Sequence, residues 1–354
     1  MLIENLLNII NVIIPFLVIL TILVFVHELG HYTVARMNKV KVEVFSIGFG
    51  KELFGFNDKN GTRWKFSLIP LGGYVKMHGD ADESSSKLKE GNEIDKNQSF
   101  HHKTVGQRSA ILFAGPAANY LFSFLLLLVI NSFYGSPSVL PVISEIIENQ
   151  PASKSGLKEG DLILKLNQKE ILSFSDLSNE IRKHENEEVV LSISRDNKIL
   201  DFNVSVINGI IGIRGNQQEL KKLKFIDSIN YSLGQIYFFT TSTLKGIYEI
   251  FKGSRSSEEL GGPIRIAELS SDFWSKGINS TLWFMVLISL NLGLINLFPI
   301  PLLDGGHLLF NLIEFVKGSP LNPKAMEIFQ GFGFFILISL MLFATYNDIS
   351  RFFD

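Results

Sequence analysis

Five residues, His27-Glu28-Leu29-Gly30-His31, have the types and spacing of a metal-dependent hydrolase. On a helix, two histidines four apart face the same way and can grip one ion. Glu28 then stands beside that ion as a base for its water. The motif closes an apolar run from Leu6 to Val26. At about 1.5 Å per residue, a run of that length crosses a hydrocarbon core of about 30 Å. The bland alternatives are a chance pentapeptide, or a helix end where polar residues meet water. Histidine and glutamate are costly at membrane depth and usually functional there. The motif therefore reads as a zinc peptidase site built inside a membrane.

A candidate for the third ligand comes far down the chain. A spanning run from Thr281 to Phe298 breaks at Asn296-Leu297-Phe298-Pro299-Ile300-Pro301-Leu302-Leu303-Asp304-Gly305-Gly306-His307. Two prolines and two glycines inside apolar sequence unwind a helix. Unwound backbone is tolerated at membrane depth only where protein or a watery cavity covers it. Asp304 then needs a partner, and the ion held by His27 and His31 supplies one. A short helix, Leu308 to Val316, and a last spanning run, Phe329 to Tyr346, follow. The remaining apolar run, Ser109 to Phe133, opens on Ala114-Gly115-Pro116-Ala117-Ala118-Asn119, small residues that allow close helix approach. Asn119 is expected to act as packing glue across that contact before any direct catalytic role.

Residues 36–108 carry period-2 patterning with glycine breaks, around Val42 to Gly50 and Trp64 to Met77, which predicts short strands and turns. The Ser-, Lys-, Glu- and Asp-rich stretch from Ala81 to Gln98 predicts a mobile loop. Residues 136–215 form a separate domain with strand-like runs at 142–143, 162–164, 189–193 and 202–206, and a helix from Ser175 to His184. Within it, Pro151 to Asn167 resembles the core of a PDZ domain, a module that binds extended peptides by strand addition. In the linker 216–278, Phe225 to Phe251 has three-and-four apolar spacing with polar residues between, predicting an amphipathic helix on a membrane surface. The divisions are 1–35, 36–108, 109–135, 136–215, 216–278 and 279–354. The expected fold is thus a polytopic α-helical membrane protein of about four transmembrane helices, with a membrane-associated β-sheet and an inserted PDZ-like α+β domain.

Composition agrees with that architecture. The chain is 46% hydrophobic, and its formal charge of −2 is too near neutral to suggest a nucleic-acid partner. With no cysteine, a disulfide framework is excluded. The Met-Leu-Ile-Glu start lacks a basic n-region, so no cleavable signal peptide is expected. Arg36, Lys39, Lys41, Lys51, Lys59, Arg63 and Lys65 place the section after the first span in the cytoplasm. Four spans then put residues 136–215 and both termini on the far side, with His27 and Asp304 near the cytoplasmic face.

The chain resembles the bacterial site-2 proteases, intramembrane zinc metalloproteases of the inner membrane. The residues that carry the resemblance are His27 to His31, Phe45 to Gly50, Ile69 to Met77, Phe113 to Asn119, Gly262-Pro263-Ile264 and Asn296 to Gly306. It implies Zn2+ on His27, His31 and Asp304, Glu28 as base, and Asn296 holding the substrate backbone. It also implies that Phe45 to Met77 forms a sheet dipping into the membrane. The implied substrates are single-pass transmembrane proteins, anti-sigma factors among them, or remnant signal peptides, reached within membrane lipid. Where the best-studied member has two tandem PDZ domains, this sequence has room for one.

Two other classes fit less well. A silent scaffold that binds peptides through the PDZ-like domain is disfavoured by the intact Glu28. A transporter would show paired repeat halves, which the sequence lacks. His78, His101, His102 and His184 read as ordinary surface or loop residues, while His307 abuts the metal loop.

Overall fold

The computed structural model describes residues 2–79, 96–137, 141–171, 174–195, 198–215, 220–221, 223–256 and 261–351. The mobile-loop expectation for 81–98 thus falls mostly outside the described residues. In order the elements are α1 (Leu2–Met37), β1 (Val42–Asn57), β2 (Arg63–Met77), α2 (Val105–Val129), β3 (Ser136–Pro137), β4 (Ile143–Ile146), α3 (Pro151–Lys154), β5 (Leu162–Leu166), β6 (Lys169–Glu170), α4 (Phe174–Ile181), β7 (Glu188–Arg195), β8 (Lys198–Ser205), β9 (Ile213–Gly215), β10 (Leu220–Lys221), α5 (Phe225–Phe251), α6 (Pro263–Ser275), α7 (Ile278–Asn296), α8 (Asp304–Lys317) and α9 (Pro323–Ser350). Residues 1–130 with 225–354 form one compact unit, and 131–224 another.

Among the described residues four helical stretches are long and apolar enough to cross a membrane: Ile10–Met37, Val105–Tyr134, Ile278–Asn296 and Lys324–Ser350. Their close approaches are made where side chains are small. A Cβ on Gly30 of α1 would overlap the Ala114 carbonyl of α2 and stand 2.7 Å from Ala118 Cβ. Such contacts let backbones meet where apolar burial alone gives helices no reason to associate. On the other side of α2, Ser289 Oγ of α7 donates to the Asn119 carbonyl at 2.9 Å. Thr104 starts α2 with a capping box to Gln107.

Two further helices brace this frame. α5 lays Ile236 and Phe239 against Leu127, Ile130, Val286 and Leu290, and Thr243 donates to Asn291 of α7 at 3.0 Å. α6 packs Ile266, Leu269 and Phe273 on Ile19, Leu23, Phe284 and Met285. Its N-terminus is capped from a distance, because Asp348 of α9 accepts the N–H groups of Gly262 (2.9 Å) and Arg265 (3.0 Å). Elsewhere α9 presents Phe334, Phe335 and Leu342 outward, a surface suited to lipid and not to water.

The β1–β2 hairpin is longer than the short strands expected. Gly48, Gly50 and Gly72 adopt φ of +88°, +86° and +111°, so they bulge the ladder where a side chain would end it. The hairpin is fastened to α1 next to the motif. Tyr32 OH and Trp64 Nε1 both donate to Asp58 Oδ2, at 2.9 and 3.1 Å. Phe45 stacks on Trp64 with centroids 4.2 Å apart.

The second unit has an antiparallel sheet in the order β6-β5-β7-β8, a β4–β9 pair, and α4. Ile143, Ile163, Leu177, Leu191 and Ile193 close its core, each fully buried aliphatic side chain contributing about 1.5–3 kcal/mol. Its entering and leaving strands pair, Ser136 with Lys221 and Pro137 with Leu220.

Candidate metal centre

α1 brings His27 and His31 onto one face, their Nε2 atoms 3.2 Å apart. The Phe298–Leu303 loop returns the chain so that Asp304 opens α8 directly opposite. Its Oδ2 lies 3.2 Å from His27 Nε2, and its Oδ1 lies 3.4 Å from His31 Nε2. Among the described residues these three form the single group that could hold an ion, with donor atoms within 4.8 Å of one another. The loop works because Gly305 and Gly306 have no side chain. A Cβ on either would overlap a backbone carbonyl of the loop, Leu297 or Phe298 for the first and Ile300 for the second.

The donor chemistry fits a zinc ion. Both histidines are buried, at 8% and 7% exposure, and each has its Nδ1 engaged elsewhere. His31 Nδ1–H donates to the Ile111 carbonyl at 2.8 Å, leaving Nε2 with a lone pair for a metal. Asn119 Nδ2 lies 3.2 Å from His27 Nδ1; with the amide turned so that Oδ1, which is buried without a hydrogen-bond partner, faces the ring, it would accept the Nδ1 proton and leave Nε2 its lone pair. Asp304 Oδ2 is buried without a satisfying hydrogen bond, as a ligand atom is. Gly115 completes the cradle: a Cβ there would overlap His31 Nε2 and come within 2.8 Å of His27 Cε1.

The three donors open on a cavity of about 360 Å³ lined also by Glu28, Phe49, Gly72, Gly73, Tyr74, Asn296 and His307. β2 passes close over Glu28, where a Cβ on Gly73 would stand 3.1 Å from Glu28 Cγ. Asn296, the last residue of α7, places Nδ2 3.5 Å from His27 Nε2. All five residues singled out from the sequence therefore line one cavity. The histidines read as ordinary take other partners: His78 lies 2.8 Å from Glu43 and His184 2.8 Å from Glu187. The sequence reading gave Asn119 the role of glue across the helix contact, and its side chain does reach across from α2 to α1, where its partner is His27. Ile111 had not been singled out, because a carbonyl leaves no mark in residue type, and Gly115 had been read only as one of the small residues that allow close helix approach.

The profile of peptidase family M50 matches residues 15–340. A Brucella suis protein named "Putative zinc metalloprotease" is 36% identical over 361 residues, covering 96% of this chain and 95% of that protein. A Rickettsia conorii protein of the same printed description is 38% identical over 358 residues, covering 97% and 99%. A third, from Campylobacter jejuni, is 37% identical over 344 residues, covering 94% and 92%.

Proposed function

The chain belongs to peptidase family M50 and is a multi-pass membrane protein, and we propose that it is an intramembrane zinc metalloendopeptidase of the site-2 type. It would cut peptide bonds within or near the transmembrane segments of membrane proteins already trimmed by another protease. The observation that carries this reading is the convergence of His27, His31 and Asp304 beside Glu28, in one cavity between apolar helices.

In this reading His27, His31 and Asp304 hold zinc, which when bound supplies an acidified water and a Lewis acid for the scissile carbonyl. Glu28 takes the water's proton and passes it to the leaving amine. Asn296 is placed to donate its amide to the substrate backbone. Gly72 and Gly73 keep side chains off the cavity wall, leaving room for an extended segment. A substrate helix must unwind to enter, because its carbonyls are hydrogen-bonded and shielded. The two-stranded β1–β2 sheet has outer edges on which such a segment can add as a strand.

The basic residues of 36–108 support a bacterial inner-membrane setting with that section cytoplasmic. Residues 136–215 would then be extracytoplasmic, and we assign them the role of a PDZ-like substrate filter. Anti-sigma factors and remnant signal peptides are the substrate types in view. Cleavage of a model transmembrane substrate by Glu28→Gln in membranes tests the proposal. We expect a rate loss of at least about 10²-fold, the lower end for general acid–base catalysis, with zinc retained. Near-normal turnover would favour a non-catalytic scaffold.

A further inference from the structure

α8 carries Asp304 at its first residue, and two polar pairs farther along tie it to the first turn of α2. Arg108 Nη2 donates to Glu314 Oε1 at 2.6 Å, with side chains only 13% and 19% exposed. Asn311 Nδ2 donates to Ser109 Oγ at 3.1 Å, with Asn311 5% exposed. The outer side of α8 is free of such ties, for Leu309, Leu312, Phe315 and Val316 are exposed. Arg108 and Ser109 lie just before Ile111, whose carbonyl orients His31. We infer that the first turn of α2 is a positioning clamp for Asp304, setting the lie of α8 through Arg108–Glu314 and Ser109–Asn311.

A helix is stiff, so a shift at Asn311, about two turns from Asp304, carries to its first residue. A buried ion pair is a weak stabiliser compared with apolar packing. Arg108 Nε moreover finds no acceptor. What the pair adds is direction, and direction is what a ligand needs. The inference rests on the zinc reading of the site.

The test uses the full chain in lipid discs, measuring zinc affinity by chelator competition and melting of the zinc-free form. We expect Glu314→Gln and Asn311→Ala each to weaken zinc binding by about tenfold or more; Glu314→Gln, which strands Arg108, should also lower zinc-free melting, whereas Asn311→Ala should leave it little changed. The exchange Arg108→Glu with Glu314→Arg should recover most of the loss. Should Glu314→Gln not fold, Asn311→Ala, which removes no charge, carries the test. Affinity within about twofold of wild type in both variants, or a loss in Asn311→Ala that merely tracks a lower melting temperature, overturns the clamp alone. A wild-type chain that takes up no zinc overturns the reading of the site, and the clamp's purpose with it.

Discussion

The Ile111 carbonyl and His31 Nδ1 stand 2.8 Å apart although 80 residues separate them in the chain. The contact fixes the ring's tautomer and its aim together, since Nδ1–H must donate and Nε2 must then face the cavity. With Asn119 on His27, α2 orients both histidines while contributing no ligand of its own.

Asn119 should therefore matter to metal before it matters to fold. Asn119→Leu removes the amide at nearly constant volume, and zinc affinity should drop about 10–100-fold. Asn119→Asp keeps an acceptor and should stay close to wild type. Equal affinities for the two variants, measured by chelator competition, would return Asn119 to the packing role read from the sequence.

Asp304 supplies an anionic donor that neither histidine can replace. Purified wild type should hold one zinc per chain, as its three donors form one group, and Asp304→Ala should lose it in elemental analysis of the dialysed protein. Full zinc with unchanged cleavage in that variant would remove the 298–303 loop from the site.

Acid should loosen the second unit through Asp161. Burial raises its pKa, but two hydrogen bonds from Arg195 at 2.7 Å and one from Lys158 N–H outweigh that and hold it below the usual carboxylate range. A depressed folded-state pKa gives stability that is full above the unfolded value, about 4, and lost as pH falls below it. At neutral pH, Asp161→Asn should cost about 3 kcal/mol or more by stranding Arg195. The difference in melting between the two proteins should shrink towards pH 3 or so; a constant difference from neutral to acid would rule out Asp161 as the titrating group.

If residues 136–215 filter substrates by size, their removal should leave cleavage of a short model substrate intact and admit long ones. Paired membrane assays, with substrates differing only in their extracytoplasmic portion, read this out. Continued refusal of the long substrate excludes a filter, and loss of the short one by a folded, zinc-loaded protein indicates a docking site.

Much of the candidate site was legible because its residues are unusual in their setting: histidine, glutamate and aspartate in apolar sequence need a reason. The four apolar helices followed from hydropathy, though α9 begins at Pro323, six residues before the run expected from Phe329. α6 escaped notice as a separate helix. Its apolar Ile266, Leu269 and Phe273 are diluted by charge, and its cap is Asp348 of a distant helix. The hairpin was underestimated because glycines at Gly48 and Gly72 read as strand ends, when their positive φ lets the strands continue. Contacts such as Ile111 with His31 depend on helices meeting, which local pattern does not encode.

Because Ser136 faces Lys221 and Pro137 faces Leu220, the chain departs from α2 and rejoins α5 at practically one place. The intervening length is therefore unconstrained by the helices that carry the chemistry. A lineage can swap this cassette, duplicate it or shorten it without re-threading the catalytic frame. If residues 136–215 filter substrates, what the protein admits can then evolve at a different tempo from how it cuts.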